Sequence, residues 1–127
     1  MSLSTIEASD EAVKRRKAEY IILKHLHDFG PAHCDAIDGQ IHEIHLDLLQ
    51  EEAESPFLFR LGGSNGPESR QIDESLERLR HFGKIEMTPE RNYELNEEGR
   101  VYLENSDALR RDGIDETFET VVENTLE

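Results

Sequence analysis

Between Ile72 and Leu95 the spacing of the apolar residues changes period. Ile72, Leu76 and Leu79 recur every three or four residues, which marks one buried face of a helix. Gly83 then stops that helix. Lys84-Ile85-Glu86-Met87 and Tyr93-Glu94-Leu95 alternate instead, as half-buried strands do. Thr88-Pro89-Glu90-Arg91-Asn92 lies between them and is rich in turn formers. A helix that runs directly into a tight β-hairpin admits few folds. A lone hairpin is only marginally stable, so the helix must bury its stripe against other helices.

Two such helices precede it. Asp10 is placed to cap a helix from Glu11 to about Phe29, with Val13, Tyr20, Ile21, Leu23 and Leu26 on one stripe and Gly30-Pro31 as the stop. Asp35 is placed to cap a second, with Ile37, Ile41, Ile44, Leu48 and Leu49 inward and Ser55-Pro56 as the break. Phe57 to Leu61 reads as a short strand or extended buried segment, and Gly62 to Gly66 as a loop. Pro67 then opens the third helix, which reaches Phe82 on its core face. Asn96 caps a last helix, which Asp112-Gly113 breaks or kinks. The expected fold is mainly α with a small β-hairpin. Residues 1–10 are expected to be flexible, 11–103 to form the domain, and 104–127 to form an acidic amphipathic C-terminal helix.

Charge narrows the function classes. The 127 residues hold 29 Asp+Glu against 14 Lys+Arg, a net charge of -15. A single cysteine, Cys34, excludes a disulfide scaffold. No apolar run is long enough to span a membrane and no secretory signal opens the chain, so a cytoplasmic protein without membrane contact is expected. The acid either forms an interaction surface, such as a nucleic-acid mimic, or adapts the whole surface to high salt. With four Lys against ten Arg, the composition resembles that of proteins from salt-loving archaea, the halophilic reading. The informative stretches are those where acid is not in excess. Residues 14–27 carry +4, and residues 60–91 are neutral.

The residues Leu76-x2-Leu79-x3-Gly83-x-Ile85, followed by Tyr93-x-Leu95-Asn96-x2-Gly99, resemble the winged helix-turn-helix regulators of the PadR and MarR type. The likeness covers the 28 residues from Ile72 to Gly99, and Asn96 departs from the usual threonine. Phe57-x-Phe59 with Gly66-Pro67-x-Ser69 is similar to a group of small uncharacterised winged-helix proteins of bacteria and archaea. The resemblance implies a winged helix-turn-helix with an additional C-terminal helix. It implies a DNA-binding transcription regulator whose third helix, about 67–82, enters the major groove, with a wing at about 84–95. On a helical wheel the outward face carries Arg70, Glu74, Glu77, His81 and Lys84, with Gln71 and Arg78 on the flank, and Asn65, Ser69, Arg70 and Gln71 stand at the helix start, where base readers sit. Arg70 suits a guanine edge and Gln71 an adenine. Arg91 at the wing tip, with Lys14, Arg15 and Arg16, suits phosphates. The resemblance further implies a homodimer on double-stranded DNA, held by Leu109, Ile114, Phe118, Val121, Val122 and Leu126. Two alternatives stand beside this. Glu74 and Glu77 on the same face would repel phosphate, which fits a protein-binding winged helix, antitoxin-like or accessory, that never touches DNA. The terminal stripe would equally serve by folding back on its own chain.

No catalytic signature is present: no phosphate loop, no nucleophile elbow, no metalloprotease helix. No enzyme and no cofactor are therefore expected. His33, Cys34, His42 and His45 match no ligand spacing, so no metal is expected. Cys34 reads as a small apolar residue or, one position before a helix cap, as a redox-sensitive thiol.

Overall fold

The computed structural model describes residues 3–51, 53–63 and 66–126, with side chains from residue 11 onward except those of 61–63. The chain is mainly helical. Helices α1 (Leu3–Phe29), α2 (Ile37–Gln50), α3 (Arg70–His81), α4 (Glu97–Glu104), α5 (Ser106–Arg111) and α6 (Glu116–Leu126) pack with two small antiparallel sheets. One sheet has the order β1 (Ala32–His33), β5 (Asn92–Leu95), β4 (Ile85–Met87). The other is a ribbon of β2 (Arg60–Gly63) and β3 (Gly66–Glu68).

The central element is α1, which packs against α3, α4, β5 and α6. From Ala18 to Leu23 every residue is buried, so this stretch is covered all round rather than along the single stripe expected. The helix begins at Leu3, upstream of the expected Asp10 cap, since nothing between Leu3 and Ala12 breaks a helix. Residues 1–10 are therefore helical from Leu3 on. On α2, Ile37, Ile41, Ile44 and Leu48 are buried, but Leu49 lies outside the core. Its N-cap is Ala36 rather than Asp35, and no side chain caps it.

The hairpin forms in register, with Ile85 opposite Leu95 and Met87 opposite Tyr93. Thr88 closes its tip: the Arg91 amide donates to the Thr88 carbonyl at 2.9 Å, and the Asn92 amide donates to Thr88 Oγ1 at 3.1 Å. Arg91 takes a left-handed φ of 65°, uncommon for a residue with a side chain. Strand β1 adds to the far edge, Ala32 opposite Tyr93. Pro67 lies in β3 and not in the helix, where an edge strand tolerates its missing N–H. Gly62, Gly63 and Gly66, expected in a loop, lie in the strands of the β2–β3 ribbon.

Asn96 caps α4 as expected, its Oδ1 accepting the Gly99 amide at 3.1 Å. Its Nδ2 donates to the Gly83 carbonyl, tying α4 to the turn after α3. Asn105 then ends α4 and caps α5, accepting the Ala108 amide. Gly113, at φ 87°, reverses the chain, and Asp115 accepts the Phe118 amide at 2.8 Å to start α6. Arg110 holds this corner, donating to the Ile114 carbonyl and pairing with Glu119, both at 2.7 Å. As a result α6 lies on α2 and α1 of its own chain. Leu109, Ile114, Phe118, Val122 and Leu126 are buried there and Val121 is half-buried, so the stripe assigned to dimerisation is already covered within one chain.

Burial raises all three tyrosines. Carboxylates add to this at Tyr20, through Glu119 and Glu123, and the bond from its hydroxyl to Asp112 adds to it at Tyr102. A phenol whose folded pKa lies above its unfolded value contributes stability that is intact below the unfolded pKa and lost as pH rises toward the folded one. The unfolded value is about 10. The tyrosine contribution to the urea midpoint should therefore be constant below about pH 9.5 and be lost above it. Tyrosinate absorbance should appear with unfolding rather than before it. Early titration of the tyrosines in the folded chain would contradict this burial.

Candidate interaction surface

Helix α3 buries Ile72, Ser75, Leu76 and Leu79, which turns Arg70, Asp73, Glu74, Glu77, Arg80 and His81 outward. Arg70, 86% exposed at its side chain, leans back on Glu74 at 3.4 Å. The outer face thus presents three carboxylates to two guanidiniums. Two more carboxylates approach its first turn, Glu68 from β3 and Asp38 from α2. The Asp73 pKa is raised from its ordinary value by partial burial, and then by the charges of Glu68, Glu74 and Glu77. Asp38 is raised by burial, with Asp73 and Glu68 adding, although the Ser69 amide opposes this by donating to its Oδ2 at 3.3 Å. The start of α3 is a zone of crowded negative charge.

Three of the expected DNA-contacting residues make contacts within the fold. Ser69 is 2% exposed, and its hydroxyl donates to Gln71 Oε1 at 3.0 Å. The same oxygen accepts the Leu58 amide at 3.2 Å, so Gln71 anchors the segment before β2. Arg78 reaches across to α1, where its Nε meets buried Glu19 at 3.4 Å, and it bonds Ser75 Oγ at 3.4 Å. Asn65 lies outside the described residues. Arg91 stands exposed at the hairpin tip. Lys84 extends its ammonium over the Tyr102 ring at 4.2 Å.

Lys14, Arg15 and Arg16 are exposed on α1. They are brought beside Arg78 and Lys84, along the edge where α1 meets α3. Arg70 and Arg91 do not join this group. Arg16 shares Glu19 with Arg78, at 3.8 Å. Three exposed residues escaped the sequence reading. Arg80 lies on the flank of the helical wheel, the apolar spacing predicts Phe82 in the core, and Leu58 falls in the segment expected to be a strand or buried. Phe82 is exposed because it is the C-cap of α3, one residue beyond the regular turns that face the core.

The histidines divide. His42 and His45 pack on Phe59 at 4.7 and 4.9 Å, and His45 Nδ1 bonds Ser55 Oγ at 2.7 Å. Burial lowers the His45 pKa, with His42 adding. This pair fastens the 55–59 segment to α2. Donor atoms of His33, Cys34 and Asp35 lie within 4.8 Å of one another, but His33 Nδ1 already accepts the Asp35 amide at 3.1 Å. His42 and His45 are not part of that group. No described helix is long and apolar enough to cross a membrane. Comparison with known proteins finds no matching family model, no matching curated protein and no matching solved structure.

Proposed function

We propose that the chain is a winged-helix interaction module that recognises a protein partner rather than a DNA duplex. The element order and the β1-β5-β4 sheet, with a hairpin directly after α3, are compatible with a winged helix. The outer face of α3 carries the choice between ligands. A duplex sets one phosphate charge per about 1.7 Å of axis, and a helix entering its groove must tolerate that field. Here Asp73, Glu74 and Glu77 line the face and Glu68 adds to them, while Arg70 is engaged by Glu74.

A second reading, a DNA-binding transcription regulator, is favoured by Arg70, Arg80 and Arg91, which are exposed on α3 and at the hairpin tip. In that reading Arg70 meets a base edge and Arg91 a phosphate. Binding of labelled genomic fragments, measured at low salt and in molar potassium chloride, separates the two. The expected result is no sequence-selective binding, and no difference between the wild type and Arg70→Ala. Selective binding that Arg70→Ala relaxes would overturn the protein reading in favour of the regulator.

A further inference from the structure

Three depressions run into one another along the α1–α3 edge. The first, of about 570 Å³, lies between Lys14 and Arg15, the 55–58 segment and Arg78. The second, of about 220 Å³, shares Arg15 and Arg78 with it and extends to Arg16 and Phe82. The third, of about 390 Å³, shares Arg16 and Phe82 and ends at Lys84 and Asp112. Two large apolar side chains stand uncovered in this trough, Leu58 at 75% exposure and Phe82 at 60%. Five cations and four carboxylates, Glu11, Glu19, Glu74 and Asp112, line it, a local excess of cations on a chain whose net charge is -15. The acids of the trough are partly engaged already. Glu19 is held by Arg78 and Arg16, Asp112 accepts from the Tyr102 hydroxyl at 2.6 Å, and Glu74 pairs with Arg70.

We infer that this trough docks an extended acidic segment of a partner protein. One apolar side chain of the segment packs on Leu58 and a second on Phe82, and its carboxylates meet Lys14, Arg15, Arg16 and Lys84. This rests on the protein-interaction reading above and adds its site and its chemistry. Charge complementarity selects an anionic occupant and steers its approach. The two uncovered apolar groups select a peptide among the anions. Apolar and aromatic anchors carry most of the energy of such contacts, and a sugar–phosphate backbone has nothing to set against Leu58. A nucleic-acid strand also places a charge at every nucleotide and would bring some against Glu11, Glu74 or Asp112. A peptide places its carboxylates selectively. Strand-binding grooves stack successive bases on several aromatic rings, whereas Phe82 stands alone here.

The test pans a library of random displayed peptides against the full chain, then measures Kd for the enriched peptides with wild type, Phe82→Ala, Leu58→Ser and the double variant Lys14→Gln/Arg15→Gln. All four positions are exposed, and thermal unfolding verifies that each variant is folded. The enriched peptides should be acidic with two apolar residues. Phe82→Ala should weaken them at least ~10-fold, and the double variant should weaken them and flatten their salt dependence. Enriched peptides that are basic, or that bind every variant equally, would overturn this inference and leave the protein-interaction reading standing. A failure to enrich any peptide would also overturn it. If selective duplex binding accompanied that failure, the protein reading would fall as well. A single-stranded oligonucleotide held by the trough and released by Phe82→Ala would give the site to nucleic acid.

Discussion

Gly99→Ala should cost about 3 kcal/mol of stability, at the upper end of what overpacking by one methyl group produces. Helix propensity alone points the other way, since alanine is favoured over glycine inside a helix by about 1 kcal/mol. The close approach decides the sign. A Cβ at position 99 would lie 2.4 Å from the Lys84 carbonyl oxygen and 2.6 Å from Leu95 Cδ1. Leu95 can rotate away, but the carbonyl is backbone. It accepts the Asn96 amide at 3.2 Å, and the neighbouring Gly83 carbonyl accepts Asn96 Nδ2. Moving it would disturb the cap of α4 and the entry to β4 together. Gly39→Ala is the matched control. That glycine lies on the exposed side of α2, and a Cβ there would meet nothing within 4 Å. It should gain up to about 1 kcal/mol. Urea midpoints followed by far-UV circular dichroism compare the two directly. Equal shifts in the same direction would show that α4 does not rest on the Lys84 carbonyl.

The region around Gly99 was readable in the sequence because its signals are local. The change of period at Gly83, the turn formers from Thr88 to Asn92 and the capping Asn96 all act within a few residues of themselves. Strand β1 was not readable, since two residues have no period and Ala32-His33 pairs only because β5 arrives beside it. The β2–β3 ribbon was hidden for the opposite reason. Its glycines read as loop, yet Gly63 and Gly66 pair across the ribbon.

The interaction surface was legible only in part. A helical wheel gives the side of α3 that faces outward, but it cannot tell whether an outward side chain already has a partner. Ser69, Gln71 and Arg78 have theirs in each other, in Leu58 and in Glu19, and Glu19 precedes Arg78 by 59 residues. The run Lys14-Arg15-Arg16 was visible as charge. That Arg78 and Lys84 complete a strip with it, around an exposed Phe82, follows from the packing of α1 on α3.

The same packing determines what α6 does, and Ile114→Ala tests it. Ile114 is fully buried at the turn into α6, next to the corner that Arg110 fastens. Removing its buried methyl and methylene groups should cost about 3 kcal/mol, from lost transfer energy plus the residual cavity. What matters equally is the dependence on protein concentration. If α6 covers α2 and α1 of its own chain, unfolding is unimolecular, so the midpoints of wild type and variant should not move with dilution. If the stripe instead joined two chains, the wild-type midpoint would rise with concentration and Ile114→Ala would dissociate a dimer. Val122→Asp sharpens the contrast. Val122 is fully buried on α6, and an unpaired carboxylate there costs several kcal/mol within one chain. That variant should populate unfolded chain at every concentration, whereas an interface residue would yield a folded monomer. Sedimentation and chemical unfolding of the two variants at widely separated concentrations decide between these outcomes. A stable, folded Val122→Asp monomer would return α6 to the role of a dimer contact.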